Sequence, residues 1–227
     1  MKLLTENNVK VIKGLKYGYY NVILHLAPFT LSGKNVCPKA SNGCATACLN
    51  TAGMGIFSNV QNARKNRTLR YFNDRGNFEA DLVSDINSAI KKANKMGKKL
   101  AVRINGTSDL PALALRVAGK FPDVQFIDYS KISKTCDKEL PKNYSLTFSR
   151  SETNENECLQ VLERGYNVAM VFDKLPKTYL GYKVIDGDVN DLRHLDGKGK
   201  NGKGLIVGLK AKGKARKDYS GFVIRSN

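Results

Sequence analysis

From Tyr19 onward the chain alternates short runs rich in β-branched and aromatic residues with longer stretches of helical period, and this alternation narrows the fold more than any other feature. The strand-like runs cover residues 19–26, 100–104, 124–128, 144–148, 167–172 and 182–185, with a last apolar stretch at 204–209. Between them fall a basic helix over 56–72 and a second helix from Asn77, a candidate N-cap, to Met96. In that second helix Phe78, Leu82, Ile86, Ala89, Ile90 and Ala93 recur on one face. A third helix starts near Pro111 and a fourth ends at Arg164-Gly165. Strands alternating with helices imply parallel βα units joined by right-handed crossovers. Counting residues 19–26, six strands predict an α/β fold over a single domain, 1–227: a partial, TIM-like (β/α)6 barrel with mainly parallel strands.

With 227 residues, 41% of them apolar and 26% charged, the composition excludes wholesale disorder, a collagen-like repeat and a coiled-coil rod. No apolar run approaches the ~20 residues of a membrane span. The opening MKLLTENNVKVIKG alternates polar and apolar residues, unlike a signal peptide, so the expectation is a cytoplasmic protein with no membrane partner. The formal charge of +18 predicts attraction to polyanions, either a nucleic acid or a phosphorylated substrate, with a merely solubilising surface as the alternative. The bias peaks in the basic C-terminal region 197–217, which has eight Lys or Arg, six Gly and no acid. That stretch reads either as a phosphate-gripping clamp or as a solvated loop pair around an edge strand.

Chemistry concentrates in the loop after the first strand, residues 29–55, dense in Gly, Pro and Asn. It carries CPKASNGCATAC, placing Cys37, Cys44 and Cys48 within twelve positions, out of five cysteines in all. An odd count in a reducing compartment favours thiolate chemistry or burial over disulfides. Three thiolates without a CxxC pair suit a [4Fe–4S] cluster with one open iron better than a four-ligand zinc site, although zinc and no metal both stay open. His25, Cys136 and Cys158 are candidates for a fourth ligand.

The segment CPKASNGCATACLNTAG, the basic helix behind it and VRINGTSDL together resemble an uncharacterised family of phage-encoded three-cysteine proteins. More distantly, the position of the cysteine loop and the strand count resemble the radical S-adenosylmethionine superfamily, although six and then three residues separate the cysteines here, instead of the CxxxCxxC spacing. The resemblance implies that Cys37, Cys44 and Cys48 bind three irons of a [4Fe–4S] cluster. The fourth iron would chelate S-adenosylmethionine, and an electron donor would drive cleavage of the sulfonium to a 5′-deoxyadenosyl radical. It also places contacts to the cofactor's amino group among Asn105, Thr107, Ser108 and Asp109.

Barrel enzymes build their sites at strand C-termini. Ser149 and Arg150 follow the fourth run and are further cofactor candidates, while Asp186, Asp188, Asp191 and Arg193 follow the sixth and are candidates for substrate. Arg64 and Arg67 join them, since with Tyr71 they share a helical face just beyond the cysteine loop. Taken singly, an Asp or Ser at such a junction is a cap or turn residue. Two functions fit: an iron–sulfur enzyme of radical S-adenosylmethionine type acting on a nucleic acid or nucleotide, in the host cytoplasm if phage-encoded, or a non-enzymatic nucleic-acid-binding phage protein stapled by zinc or a cluster.

Overall fold

Runs that are apolar at nearly every position suit strands covered on both faces, and they become the middle of one large sheet. The computed structural model describes residues 2–6 and 9–226. In chain order the elements are β1 (Leu4–Thr5), α1 (Val9–Leu15), β2 (Tyr19–Leu24), α2 (Asn42–Thr46), α3 (Ser58–Asn73), α4 (Arg75–Lys95), β3 (Lys99–Arg103) and α5 (Pro111–Gly119). There follow β4 (Gln125–Ser130), β5 (Tyr144–Ser149), α6 (Glu155–Glu163), β6 (Val168–Phe172), β7 (Thr178–Tyr179), β8 (Tyr182–Asp186), β9 (Ile206–Lys210) and β10 (Val223–Ile224). The sheet runs β1-β2-β3-β4-β5-β6-β9-β8-β7. Neighbours from β2 to β8 are parallel, and the two-residue strands β1 and β7 pair antiparallel at the ends. Among the described residues the sheet is not closed into a barrel.

Alternation sorts each strand's side chains between two faces. Val22, Leu24, Val102, Phe126, Leu146, Phe148, Met170 and Ile206 share one core with Phe78, Leu82 and Ile86 of α4, Leu113 and Val117 of α5, and Val161 and Leu162 of α6. The long helices therefore cover one face, as same-handed crossovers between sequential strands require. On the other face Ala101 and Ile127 pack with Leu192 and Tyr19. This second face is closed at its lower end by the turn around Leu192, and there Arg103 meets Asp191 at 3.0 Å and lies over the Tyr129 ring at 4.5 Å.

Several expectations change. The place after β6 is taken by β9, with β8 outside it, so the 204–209 stretch is an interior strand and not an edge. The helix expected from Asn77 begins at Arg75, and Asn77 lies in its first turn with its amide on Asp74. The cysteine loop contains a helix after all: α2 is only five residues long, too short to leave a period in the sequence, and its start is fixed by Ser41, whose hydroxyl accepts from the Cys44 N–H. The last segment was not foreseen. Beyond Ala169, β5 no longer pairs with β6, and β10 takes its place beside Val171 and Phe172.

Candidate functional site

Above the strand ends of the second face lies a cavity of about 230 Å³, lined by Cys37, Cys44 and Cys48. Its floor is strand residues on the face away from the helices, among them Arg103, Tyr129, Ser149, Val171 and Leu209. The cysteine loop forms one wall, and the segment carrying Ala215 and Phe222 forms the adjoining one. Ala47 of the cysteine loop packs against Ala215, Phe222 and Val223 of that segment.

Three attachments set the loop over the strands. Asp109 donates its N–H to the carbonyl of buried Val36 at 2.8 Å, and Thr107 donates its hydroxyl to the Leu26 carbonyl at 2.6 Å. Gly106 donates to the Leu24 carbonyl at 3.0 Å, in a turn so close to β2 that an added Cβ would sit 2.6 Å from that same oxygen and from Ile23 Cγ2. Farther along, Glu152, just after β5, accepts from the Ser41 hydroxyl at 2.6 Å and from the Gly43 N–H at 2.7 Å. A carboxylate suits this place, because the first N–H groups of α2 have no partner within the helix.

All five cysteines are free thiols. Cys37 takes an N–H from Phe29 at 3.4 Å, and burial pushes its thiol up to about 12. Burial likewise raises Cys48, while Lys131 and Arg64 pull it the other way. None of the candidate fourth ligands, His25, Cys136 and Cys158, lines the cavity. Cys136 and Cys158 are buried in the core on the helical face. Burial, with Arg64, Arg103 and Arg67 nearby, holds His25 down to about 3 and so neutral. Among the described residues no group of three His, Cys, Asp or Glu gathers tightly enough for a single metal ion. Cys37, Cys44 and Cys48 all line the cavity, and no other cysteine and neither histidine lines it.

The loops that begin at Asn105, Ser149 and Asp186 do meet the cysteine loop, since Asn105, Thr107, Ser108, Asp109, Ser149, Arg150 and Asp188 also line the cavity. Most of their polar groups already hold the site together. The Asn105 side-chain carbonyl accepts from the Ser108 hydroxyl and the Leu110 N–H, both at 2.9 Å, and its amide donates to Asp128 at 3.2 Å. Asp109, raised by burial, accepts from the Ser130 hydroxyl at 2.7 Å and the Lys131 N–H at 2.8 Å. Arg150 donates to the Gly221 and Phe222 carbonyls at 2.9 and 3.3 Å, and so fastens the final segment to the end of β5.

The substrate candidates divide differently from the expectation. Asp188 lies at the cavity and pairs with Lys212. Asp186 is exposed and accepts the Asp188 N–H, whereas Asp191 and Arg193 are buried in the turn below, bonded to Arg103 and to Asn190 with Asp196. Arg64, Arg67 and Tyr71 do share a face of α3, but it turns inward. Arg64 is buried with its guanidinium on the Asn50 side chain, Arg67 donates to the Lys2 carbonyl at 3.4 Å, and Tyr71 packs on Phe78. The basic region 197–217 is likewise not one surface. Strand β9 separates Lys198 and Lys203, held at Gly165 and Glu163, from Lys210 and Lys212 at the cavity.

Sequence reasoning passed over Glu152, Lys131 and Phe222. Glu152 had a faint signal as an acid at a strand end, while Phe222 had none, because its segment forms only a two-residue strand. No helix among the described residues is long and apolar enough to cross a membrane. A family profile described as gene product 88 matches residues 2–226, whereas no curated protein and no solved structure matches the chain. The chain belongs to the gene product 88 family, a family of phage type.

Proposed function

We propose that the chain is an iron–sulfur enzyme of radical S-adenosylmethionine type that works on a nucleic acid or nucleotide in the cytoplasm of a phage host. The observation that carries this reading is the donor set: three free thiols, contributed by one loop, line a cavity at the C-terminal ends of parallel strands, and no fourth thiol or imidazole joins them. Cys37, Cys44 and Cys48 would hold a [4Fe–4S] cluster, and the cluster with S-adenosylmethionine would supply one-electron chemistry there. The strand order supports an open partial barrel, because β2 to β6 follow one another in sequence with their helices on one face.

The chain's own residues would do the placing. Asp109 and Thr107 hold Cys37 against the end of β2, and Glu152 holds the helix of Cys44 against the end of β5. Asn105 and Ser108 shape the turn on which a bound cofactor would rest. Lys131 and Arg64 favour the thiolate form of Cys48. Leu49, Ala215 and Phe222 place apolar side chains on the cavity lining, where they would help exclude water.

The test is strictly anaerobic reconstitution with iron and sulfide, followed by absorption and EPR after reduction. An EPR signal that changes on adding S-adenosylmethionine is expected. Replacing Cys37, Cys44 or Cys48 by Ala should each remove most of the iron, and Cys158→Ala should leave it. Stoichiometric zinc with no iron after anaerobic purification would refute the proposal and leave a zinc-stapled binding protein.

A further inference from the structure

Charge at the cavity is unevenly balanced. Seven charged side chains line it: Arg103, Lys131, Arg150, Lys210 and Lys212 against Asp109 and Asp188. Arg103 is matched by Asp191, Lys212 by Asp188 and Arg150 by Glu155. Asp109 is already bonded to Ser130 and to the Lys131 backbone. Lys131 and Lys210 remain, and among the described residues neither has a carboxylate in ion-pair range. The Lys131 ammonium, just past the end of β4, lies over the Phe222 ring at 5.8 Å, and Lys210 ends β9, across β5 and β6 in the same cavity lining.

The rim continues the pattern. Between Ala215 and Phe222, both in the cavity wall, come exposed Arg216 and Lys217, then Tyr219 at 86% exposure with Arg225 stacked on its ring at 4.6 Å. Lys214 precedes them and is also exposed. An aromatic ring left in solvent among cations is the usual platform for an unpaired base, with the cations following the backbone.

Resting on the cavity as the reaction site, we infer that Lys131 and Lys210 form a phosphate subsite that seats one nucleotide of a single-stranded nucleic acid, while the segment 214–219 carries the neighbouring backbone and stacks one base on Tyr219. The two lysines are worth little to the fold, since neither forms an ion pair, and their placement gives the cavity a net positive charge that a phosphodiester would neutralise. Duplex recognition is not expected, because α3 turns its arginine face inward and no other helix of the described chain presents one.

The probe is a fluorescein-labelled single-stranded DNA 12-mer and the matching RNA, measured by anisotropy against the full chain, both metal-free and reconstituted. The parent should bind with a strong salt dependence. Lys131→Met with Lys210→Met should weaken binding by ~10-fold or more and reduce the slope of log K against log salt by ~0.7, the value for one lost phosphate contact on a single strand. Tyr219→Ala should cost ~5-fold or more without changing that slope, as a stacking contact would. Iron content of the reconstituted parent separates this inference from the proposed enzyme: normal iron in the parent with unchanged oligonucleotide binding by the lysine variant overturns the subsite and leaves the cluster standing. Lys98→Met with Lys99→Met, at the opposite end of the sheet, should bind as the parent does. If that pair loses affinity instead, the nucleic acid lies elsewhere and the subsite is overturned. Inorganic phosphate or a mononucleotide competing as well as the oligonucleotide would also overturn the strand and point to a small phosphorylated substrate.

Discussion

Replacing Glu152 by Ala should loosen the cysteine loop without unfolding the sheet. The carboxylate accepts two hydrogen bonds, from Ser41 Oγ at 2.6 Å and from the Gly43 N–H at 2.7 Å, both at the start of the short helix that carries Cys44. Hydrogen bonds to a charged group contribute ~1.5–3 kcal/mol each. Glu152 is half-exposed, so water replaces part of each bond, and a total of about 2 kcal/mol for local opening is a fair discount. At 1.36 kcal/mol per factor of ten this is ~30-fold in the opening equilibrium. Burial raises Cys48 and leaves it only partly exposed, so opening of the loop should speed its modification by 4,4′-dithiodipyridine, which follows that equilibrium. Glu152→Ala should speed the modification ~30-fold, and Glu152→Gln, which keeps one acceptor, by less. A pH signature accompanies it. Burial raises the Glu152 carboxyl, but the bonds from Ser41 and Gly43 outweigh it and leave the group lower than an ordinary glutamate. Its contribution is therefore full above the unfolded value and is lost as pH falls through the folded one. The parent should lose protection in acid, and Glu152→Ala should show no such step. Modification rates within twofold of the parent across that range would refute the claim that this carboxylate holds the loop.

Asp128 should have the opposite pH sign. Burial raises it to about 7, against bonds from Asn105 and Tyr144, so the native state keeps a proton that the unfolded chain releases, and stability should fall as pH rises from about 4 through 7, by a few kcal/mol at most in urea melts. Asp128→Asn, which cannot ionise, should flatten that dependence, and an unchanged slope would count against it. Gly106→Ala should cost ~1–3 kcal/mol, because its Cβ meets backbone on β2 that cannot yield, and a neutral melt would mean that the turn has room to shift.

The sheet was legible because a strand covered on both faces must be apolar throughout, and residues 19–26, 167–172 and 204–209 show this without any neighbour being known. Their order was less legible. Nothing within 182–185 or 204–209 records which lies beside β6, since either could extend a parallel sheet, and the choice of β9 depends on contacts across the whole strand. The three cysteines stood out by spacing, and the polar strand ends by position, but the work each side chain does was hidden. Asn105 and Asp109 look like ligands at a strand end and turn out to spend their acceptors on Ser108, Leu110, Ser130 and Lys131. Arg64, Arg67 and Tyr71 obey helical period, yet period says only that they share a face, not which way that face looks.

The wall formed by 212–226 carries the same lesson further. Its regular structure is a 3-10 helix over Gly213–Lys217 and the pairing of Val223 and Ile224 with β6, in the gap where β5 has turned away, and pieces this short leave no periodic trace. It is held otherwise by contacts to remote positions: Arg150 on the Gly221 and Phe222 carbonyls, the Thr51 hydroxyl on the Lys214 N–H, and the Asp173 carboxylate on the Ser226 N–H and hydroxyl. Each partner is an ordinary polar residue in sequence, and only the closed sheet end brings them together. The cavity therefore depends on the loop after β2, the ends of the middle strands and residues 212–226 at once. With about 230 Å³, against the ~300–1,000 Å³ of most small-molecule sites, the cavity suits a small ligand, and an outward shift of the final segment is the expected response to a larger one. Arg150 is placed to control that shift, since its two carbonyl contacts join the segment to the strand whose departure opened the gap.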